Sequence, residues 1–224
     1  MVLLPHMQQA RNNYAYMDRD ERDDIMDMDD ELDLVDEADG QDRDAGQEAD
    51  GEDGDTVTFA SLGLPEEILE AVTDMGFRVP TPIQAAAIPP LLELRDVVGI
   101  AQTGTGKTAA FGLPLLAIVD ADERDVQALV LAPTRELAMQ SAQAIEDFAA
   151  RTARLDVVPV YGGSPYGPQI GALKRGAQVV VGTPGRVIDL IEKGALDLSN
   201  VRMLVLDEAD EMLRMGFAED VETI

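Results

Sequence analysis

The sequence predicts an α/β protein in which a parallel β-sheet is covered by helices on both faces. Two observations carry this. Short, continuously apolar runs alternate with helical segments, which is how strands buried on both faces read. Nearly every such run also ends in a glycine- or proline-marked turn, at the strand end where open α/β sheets hold their ligands.

Charge divides the chain in two. The net charge is −27, and residues 18–55 hold 20 Asp/Glu against three Arg. This tract cannot bury enough apolar surface to offset the entropy of ordering. Residues 1–55 are therefore expected to be a disordered acidic N-terminal extension, with residues 56–224 forming the domain. Within the extension, Ile25, Met26, Met28, Leu32, Leu34 and Val35 leave open a short motif for a protein partner, beside the simpler reading of a solvating tail. Val2-Leu3-Leu4 is too short for a signal-peptide core, and His6, in a loose segment, is given no role. The absence of cysteine excludes disulfides and thiolate zinc sites and suits a reducing, cytoplasmic setting. No run of 18 apolar residues offers a membrane span.

The elements follow in order. Pro65-Glu66-Glu67 opens a helix carrying Ile68, Leu69, Val72 and Met75 at helical spacing, closed by Gly76-Phe77. Pro80 to Gln84 is a rigid turn into a second helix, Gln84 to Leu92. Val97-Val98-Gly99-Ile100 is a strand running into a glycine-rich loop and the apolar helix that follows. Ala128 to Ala132 is the next strand, stopped by Pro133, with a long helix to about Arg151. Val157 to Tyr161 is a strand ending at Gly162-Gly163, followed by a short helix over 169–175. Gln178 to Val181 runs into Thr183-Pro184-Gly185-Arg186 and a helix from Val187 to Glu192. Val201 to Leu206 delivers Asp207-Glu208-Ala209-Asp210.

The loop Ala101-Gln102-Thr103-Gly104-Thr105-Gly106-Lys107-Thr108 fits the phosphate-binding pattern G-x-x-x-x-G-K-[ST], except that Ala101 replaces the first glycine. Its glycines let backbone N–H groups curl around phosphate oxygens, and the helix N-terminus adds a favourable dipole. Lys107 would reach the β- and γ-phosphates, and the Thr108 hydroxyl would ligate Mg²⁺. The plain alternative is a glycine-rich turn with an incidental lysine. Asp207 stands where a P-loop protein keeps its Mg²⁺-binding carboxylate, and Glu208 could polarise the attacking water. Two acids at a strand end also suit a helix N-terminus.

Taken together, Ala101–Thr108, Pro133-Thr134-Arg135-Glu136-Leu137-Ala138, Gly162-Gly163, Thr183-Pro184-Gly185-Arg186 and Asp207-Glu208-Ala209-Asp210 resemble motifs I, Ia, GG, Ib and II of DEAD-box RNA helicases, in the family's order. Gly76 to Gln84 resembles its Q motif, and Phe59 lies 17 residues upstream of Gly76, where the family has an isolated aromatic. Glu211 to Phe217 most resembles the bacterial cold-shock and ribosome-assembly branch. The resemblance covers residues 57–224 and implies a RecA-like ATP-binding domain. It implies ATP and Mg²⁺ as cofactors, with Gln84 reading adenine through its amide, Phe59 stacking on the ring, and Gln102 to Thr108 around the phosphates. Phe59 could instead anchor the first helix in the core. Lys107, Asp207 and Glu208 would be catalytic, Thr108 and Asp207 would hold the metal, and Asp210 would couple nucleotide state to RNA. Pro133, Thr134, Arg135, Gly162, Gly163, Thr183, Gly185 and Arg186 would lie along one RNA strand, contacting phosphates and 2′-hydroxyls without reading sequence. This needs few net cations, which eases the conflict with an acidic domain. Strand-end turns and caps are the simpler reading of the same residues, and for Thr134 and Thr183 a capping role is expected as well.

The resemblance further implies a Ser-Ala-Thr motif beyond Ile224, on a strand lying between the P-loop strand and the Asp207 strand, and a second RecA-like domain as partner. These 224 residues are therefore expected to lack a central strand, and to be poorly stable or to fill the gap by rearrangement or association. Two functions are open: the ATP-binding part of an RNA helicase that unwinds duplexes, or a nucleotide- and RNA-binding module without turnover. A DNA-directed helicase of the same superfamily fits the Asp-Glu-Ala-Asp run and the Pro-Thr-Pro-Ile-Gln turn less well.

Overall fold

The computed structural model describes residues 2–4, 57–102, 104–151 and 155–224. Most of the acidic extension, with its suggested partner motif, and Thr103 lie outside the described residues. Four strands of four residues each make the body of the sheet: β3 (Ala128–Leu131), β4 (Val157–Val160), β5 (Val179–Gly182) and β6 (Met203–Leu206). They pair in parallel, β6 with β3, β3 with β5 and β5 with β4. β2 (Val97–Val98) and β1 (Val2–Leu4) complete six strands in the order β2-β1-β6-β3-β5-β4.

Successive residues of a strand face opposite sides, so a run that is apolar throughout feeds two cores. Ala128 and Val130 of β3 enter one core, and Leu129 and Leu131 enter the other. On the first face lie α1 (Glu66–Asp74), α2 (Pro82–Leu92), α3 (Lys107–Ile118) and α4 (Arg135–Ala149), contributing Val72, Ile88, Phe111 and Ile145. On the second lie α5 (Tyr166–Lys174), α6 (Pro184–Glu192), α7 (Ala209–Arg214) and α8 (Ala218–Thr223), with Val187, Leu190 and Met212 at the centre.

The helix after the glycine loop is the most enclosed. Ala109 to Leu116 are all buried, as a helix that is apolar all round must be. Truncating the fully buried Phe111 to Ala would cost about 3–5 kcal/mol. That packing fixes the helix whose N-terminus the loop presents. Helix α2 starts two residues earlier than its periodicity suggested, because Pro82 suits the first helical position and Thr81 stands as N-cap.

The sheet differs from expectation in one respect. The place beside β6, where a central strand was expected to be missing or replaced by rearrangement, is taken by β1, which runs antiparallel to both β6 and β2. Val2-Leu3-Leu4, read above as part of an extension outside the fold, is an apolar run short enough to fit the gap. The sheet is thus parallel with one antiparallel insertion.

Candidate functional site

The carboxyl ends of β2, β3, β4, β5 and β6 share one edge of the sheet, since β2 and β6 both run opposite to β1. The candidate residues gather along that edge. Between β2 and α3 the loop turns through Gly104 at φ +82° and Gly106 at φ +87°, so that Lys107 begins the helix. The Thr105 hydroxyl donates to the Gln102 carbonyl at 2.7 Å and closes the turn. Thr108 is half-buried one residue into the helix.

Opposite the loop, Asp207 follows β6 and is 6% exposed. Its Oδ2 accepts a hydrogen bond from Ser141 Oγ of α4 at 3.1 Å. Burial pushes the Asp207 carboxyl above its ordinary range; the Ser141 hydrogen bond opposes this, the neighbouring Glu208 charge adds to it, and Lys107 opposes it. Glu208 takes a left-handed conformation at φ 52°, which costs a residue with a side chain about 1–2 kcal/mol. It turns the chain from β6 into α7, and the Glu208 carboxylate accepts from Lys107 Nζ at 2.7 Å. Lys107, expected to wait for phosphates, is therefore paired with the expected catalytic acid.

Two residues expected at the adenine make contacts inside the fold. Phe59 is 3% exposed in the first core, edge-on to Phe77 with centroids 6.0 Å apart, so its ring anchors the start of the domain, the alternative role weighed for it above. Gln84 is 2% exposed, and both ends of its amide are engaged. Its Oε1 accepts from the Thr81 N–H at 2.9 Å, and its Nε2 donates to the Gly106 carbonyl at 3.2 Å. In this arrangement Gln84 braces the loop against α2. The signal was legible only in part: a buried amide must find partners, but the sequence does not say whether they are base or backbone.

The other strand ends form a row. Pro133 ends β3, and Thr134 caps α4, its Oγ1 accepting from the Leu137 N–H at 3.3 Å, as expected. Thr183 occupies the N-cap of α6 without a side-chain cap bond, so its expected capping role is not realised. Arg135 is exposed and lies over the Tyr161 ring, 4.7 Å from the centroid. Gly162, Gly163 and Gly185 are exposed. Arg186, expected on an RNA phosphate, is 7% exposed and turned inward. It donates to Gln169 Oε1 and to the Ser164 carbonyl, both at 3.0 Å, and stacks on Tyr166. Its work is to tie the loop after β4 to α6. Asp210 is exposed and pairs with Arg214 at 3.0 Å. Ser141 went unremarked in the sequence, yet a hydroxyl on the buried stripe of α4, beside Ala138, Ala142 and Ile145, requires a partner.

A glycine-rich loop at a helix N-terminus, with a carboxylate pair at the end of β6 and one of the two bonded to the loop's lysine, defines a P-loop nucleotide-binding domain. Comparison with known proteins narrows this class: the sequence pattern of the DEAD/DEAH box helicases matches residues 81–224, and the chain belongs to that family. It is 60% identical over 170 residues to an ATP-dependent RNA helicase DeaD of Haemophilus influenzae, covering 76% of this chain and 28% of that protein. A protein of the same name from Mycobacterium tuberculosis is 59% identical over 167 residues, covering 75% of this chain and 30% of its own. The crystal structure of a DEAD box protein from Methanococcus jannaschii superposes with a TM-score of 0.69 at 46% identity, covering 74% of this chain and 45% of that one. The chain thus spans under a third of the length of these curated relatives.

Proposed function

We propose that the chain is the ATP-binding part of an ATP-dependent RNA helicase. The observation that carries this is the convergence of Lys107, Asp207 and Glu208, a hundred residues apart in sequence, at the mouth of the glycine loop. The residues present fit Mg²⁺ and ATP. Asp207 and the Thr108 hydroxyl are hard oxygen donors, and Mg²⁺ is commonly held by one or two carboxylates with phosphates and water completing its shell. Bound ATP would supply the phosphoanhydride bond and Mg²⁺ would neutralise charge on its oxygens.

The chain's own groups would act as follows. Backbone amides from Gln102 to Thr108 cradle phosphates, with Thr103 included on the sequence pattern alone. Lys107 leaves Glu208 for a phosphate oxygen, and Glu208, so released, orients a water. Asp210, paired with Arg214 in the free chain, would couple nucleotide state to RNA. The RNA reading rests on the row of strand-end residues whose exposed members are Arg135, Gly162, Gly163 and Gly185. Gly162 and Gly185 have no heavy atom within 4 Å of where a Cβ would stand, so nothing inside the fold requires glycine there. Close approach of a sugar–phosphate chain would. A second RecA-like domain of the parent protein would supply the facing half of the groove, in the cytoplasm; no described helix is long and apolar enough to cross a membrane.

A second reading is favoured by the Lys107–Glu208 pair, which ties down both catalytic groups: a module that binds adenine nucleotide and RNA without turnover. RNA-stimulated ATP hydrolysis by the chain, beside Glu208→Gln and with GTP as competitor, separates the two. RNA-dependent turnover lost in Glu208→Gln gives the first; adenine-selective binding without turnover gives the second. No nucleotide binding at all refutes both.

A further inference from the structure

Two arginines of the strand-end row lie over tyrosine rings, and they are held differently. Arg186 lies 4.1 Å from the Tyr166 centroid, is buried, and gives N–H groups to Gln169 Oε1 and the Ser164 carbonyl. Arg135 lies 4.7 Å from the Tyr161 centroid and is exposed. Among the described residues it takes part in no ion pair. The first guanidinium is spent inside the fold. The second is held by one face and keeps its fork of donors for a visitor.

Nothing about the helix calls for a cation at this place. Arg135 is the first residue of α4, where the helix dipole disfavours positive charge. A long exposed side chain there would also sample many rotamers unless something held it. Tyr161 is suited to hold it, because its own backbone is fixed. It directly follows β4, and its carbonyl accepts from Gln169 Nε2 at 3.2 Å. Gln169 Oε1 in turn accepts from Arg186, which also ties the Ser164 carbonyl. The segment Tyr161-Gly162-Gly163-Ser164 is thus pinned at both ends by two buried side chains, and the half-buried Tyr161 ring stands on that pinned backbone.

We propose that Tyr161 is a positioning residue for RNA: its ring holds the Arg135 guanidinium next to the glycine doublet, so that a phosphate reaching the doublet finds the cation already in place. The proposal rests on the RNA reading of the strand-end row. The recognised group is the phosphate, and the contact reads no sequence.

The test uses the full chain and a fluorescein-labelled oligouridylate, with binding followed by anisotropy across a salt series. Arg135→Ala should weaken binding and lower the salt slope by about one. Tyr161→Leu should weaken binding about threefold, the scale of an exposed cation–π contact, and lower the slope as well, although no charge has been removed. A merely structural tyrosine would leave the slope alone. Tyr161→Phe keeps the ring and should match the parent. Tyr161→Leu combined with Arg135→Ala should bind no more weakly than Arg135→Ala alone. A proton spectrum of the parent needs no variant at Tyr161: nuclei over a ring face resonate upfield, so the Arg135 side-chain protons, assigned by their loss in Arg135→Lys, should be displaced upfield. Unshifted Arg135 protons, a parental slope in Tyr161→Leu, or additive losses in the double variant each overturn the proposal. So does a Tyr161→Phe as weak as Tyr161→Leu, which would make the hydroxyl itself the contact. If the parent binds no oligouridylate, or binds it as Arg135→Ala does, the RNA reading fails and takes the proposal with it. Binding that depends on Arg135 but not on Tyr161 sinks the proposal alone.

Discussion

Gly106→Ala tests whether Gln84 braces the phosphate loop. Two costs are legible at this position. The backbone is left-handed at φ +87°, which a side chain tolerates at about 1–2 kcal/mol. The added Cβ would also meet Gln84 Nε2 well inside contact distance and Gln84 Cδ at 3.2 Å. Moving that buried amide leaves Thr81 N–H and Gly106 C=O without partners, at about 1–3 kcal/mol. The total is about 2–5 kcal/mol. Gly104→Ala is the internal control, with a similar φ of +82° and nothing within 4 Å of its Cβ. It incurs the backbone cost alone. At about 2–4 °C per kcal/mol for a domain of this size, Gly106→Ala should melt several degrees below Gly104→Ala. Circular dichroism without nucleotide at neutral pH reads the difference. In a cycle with Gln84→Ala, the double variant should be more stable than the sum of the singles implies by at least about 1 kcal/mol, because the clash and its partner are removed together. Equal melting of the two alanine variants, or an additive cycle, would sink the bracing argument.

Three further outcomes are expected. Burial holds the Asp207 carboxyl above its ordinary value, so between that value and the raised one the folded chain binds more protons than the unfolded chain, and this group's contribution to stability declines as pH rises; Asp207→Asn should remove that decline, melt higher than the parent at neutral pH, and lose Mg²⁺-dependent nucleotide binding. Ser141→Ala removes the hydrogen bond that favours the charged Asp207, so Mg²⁺-dependent affinity should fall several-fold while Mg²⁺-free affinity is unchanged, which titrations with and without the cation would separate. Arg186→Ala should destabilise by about 2–4 kcal/mol because it strands buried partners, whereas Arg135→Ala should leave the melt within about 0.5 kcal/mol and weaken RNA binding; the reverse pattern would restore Arg186 to the RNA surface.

How far the sequence could be read depended on how local each signal was. The four-residue strands were legible because a wholly apolar run bounded by turn residues has few other uses. α3 was legible for the same reason, from Ala109 to Leu116. The phosphate loop and the Asp207-Glu208 pair carry their chemistry in adjacent residues, so their neighbourhood followed from the fold. For Gln84, Phe59 and Arg186 the sequence marked the residue but left its partners open. An amide, an aromatic ring and a guanidinium each serve a ligand or the protein's own backbone and core equally well, and only tertiary placement decides. β1 was not legible at all. Three apolar residues have no periodicity to measure, and their register is dictated by the space between two strands distant in sequence.

The Lys107–Glu208 contact has a consequence for which anions the loop can admit. Lys107 has a side-chain exposure of 11%, so a visitor must take it from a carboxylate already seated at 2.7 Å. A lone sulfate or inorganic phosphate would arrive with little to offer in exchange and would meet that carboxylate, with Asp207 beside it. A polyphosphate accompanied by its own divalent cation brings both a better partner for the lysine and relief for the acids it displaces. On the nucleotide-site reading proposed above, the resting pair would favour visitors by valence before any base or sugar is met.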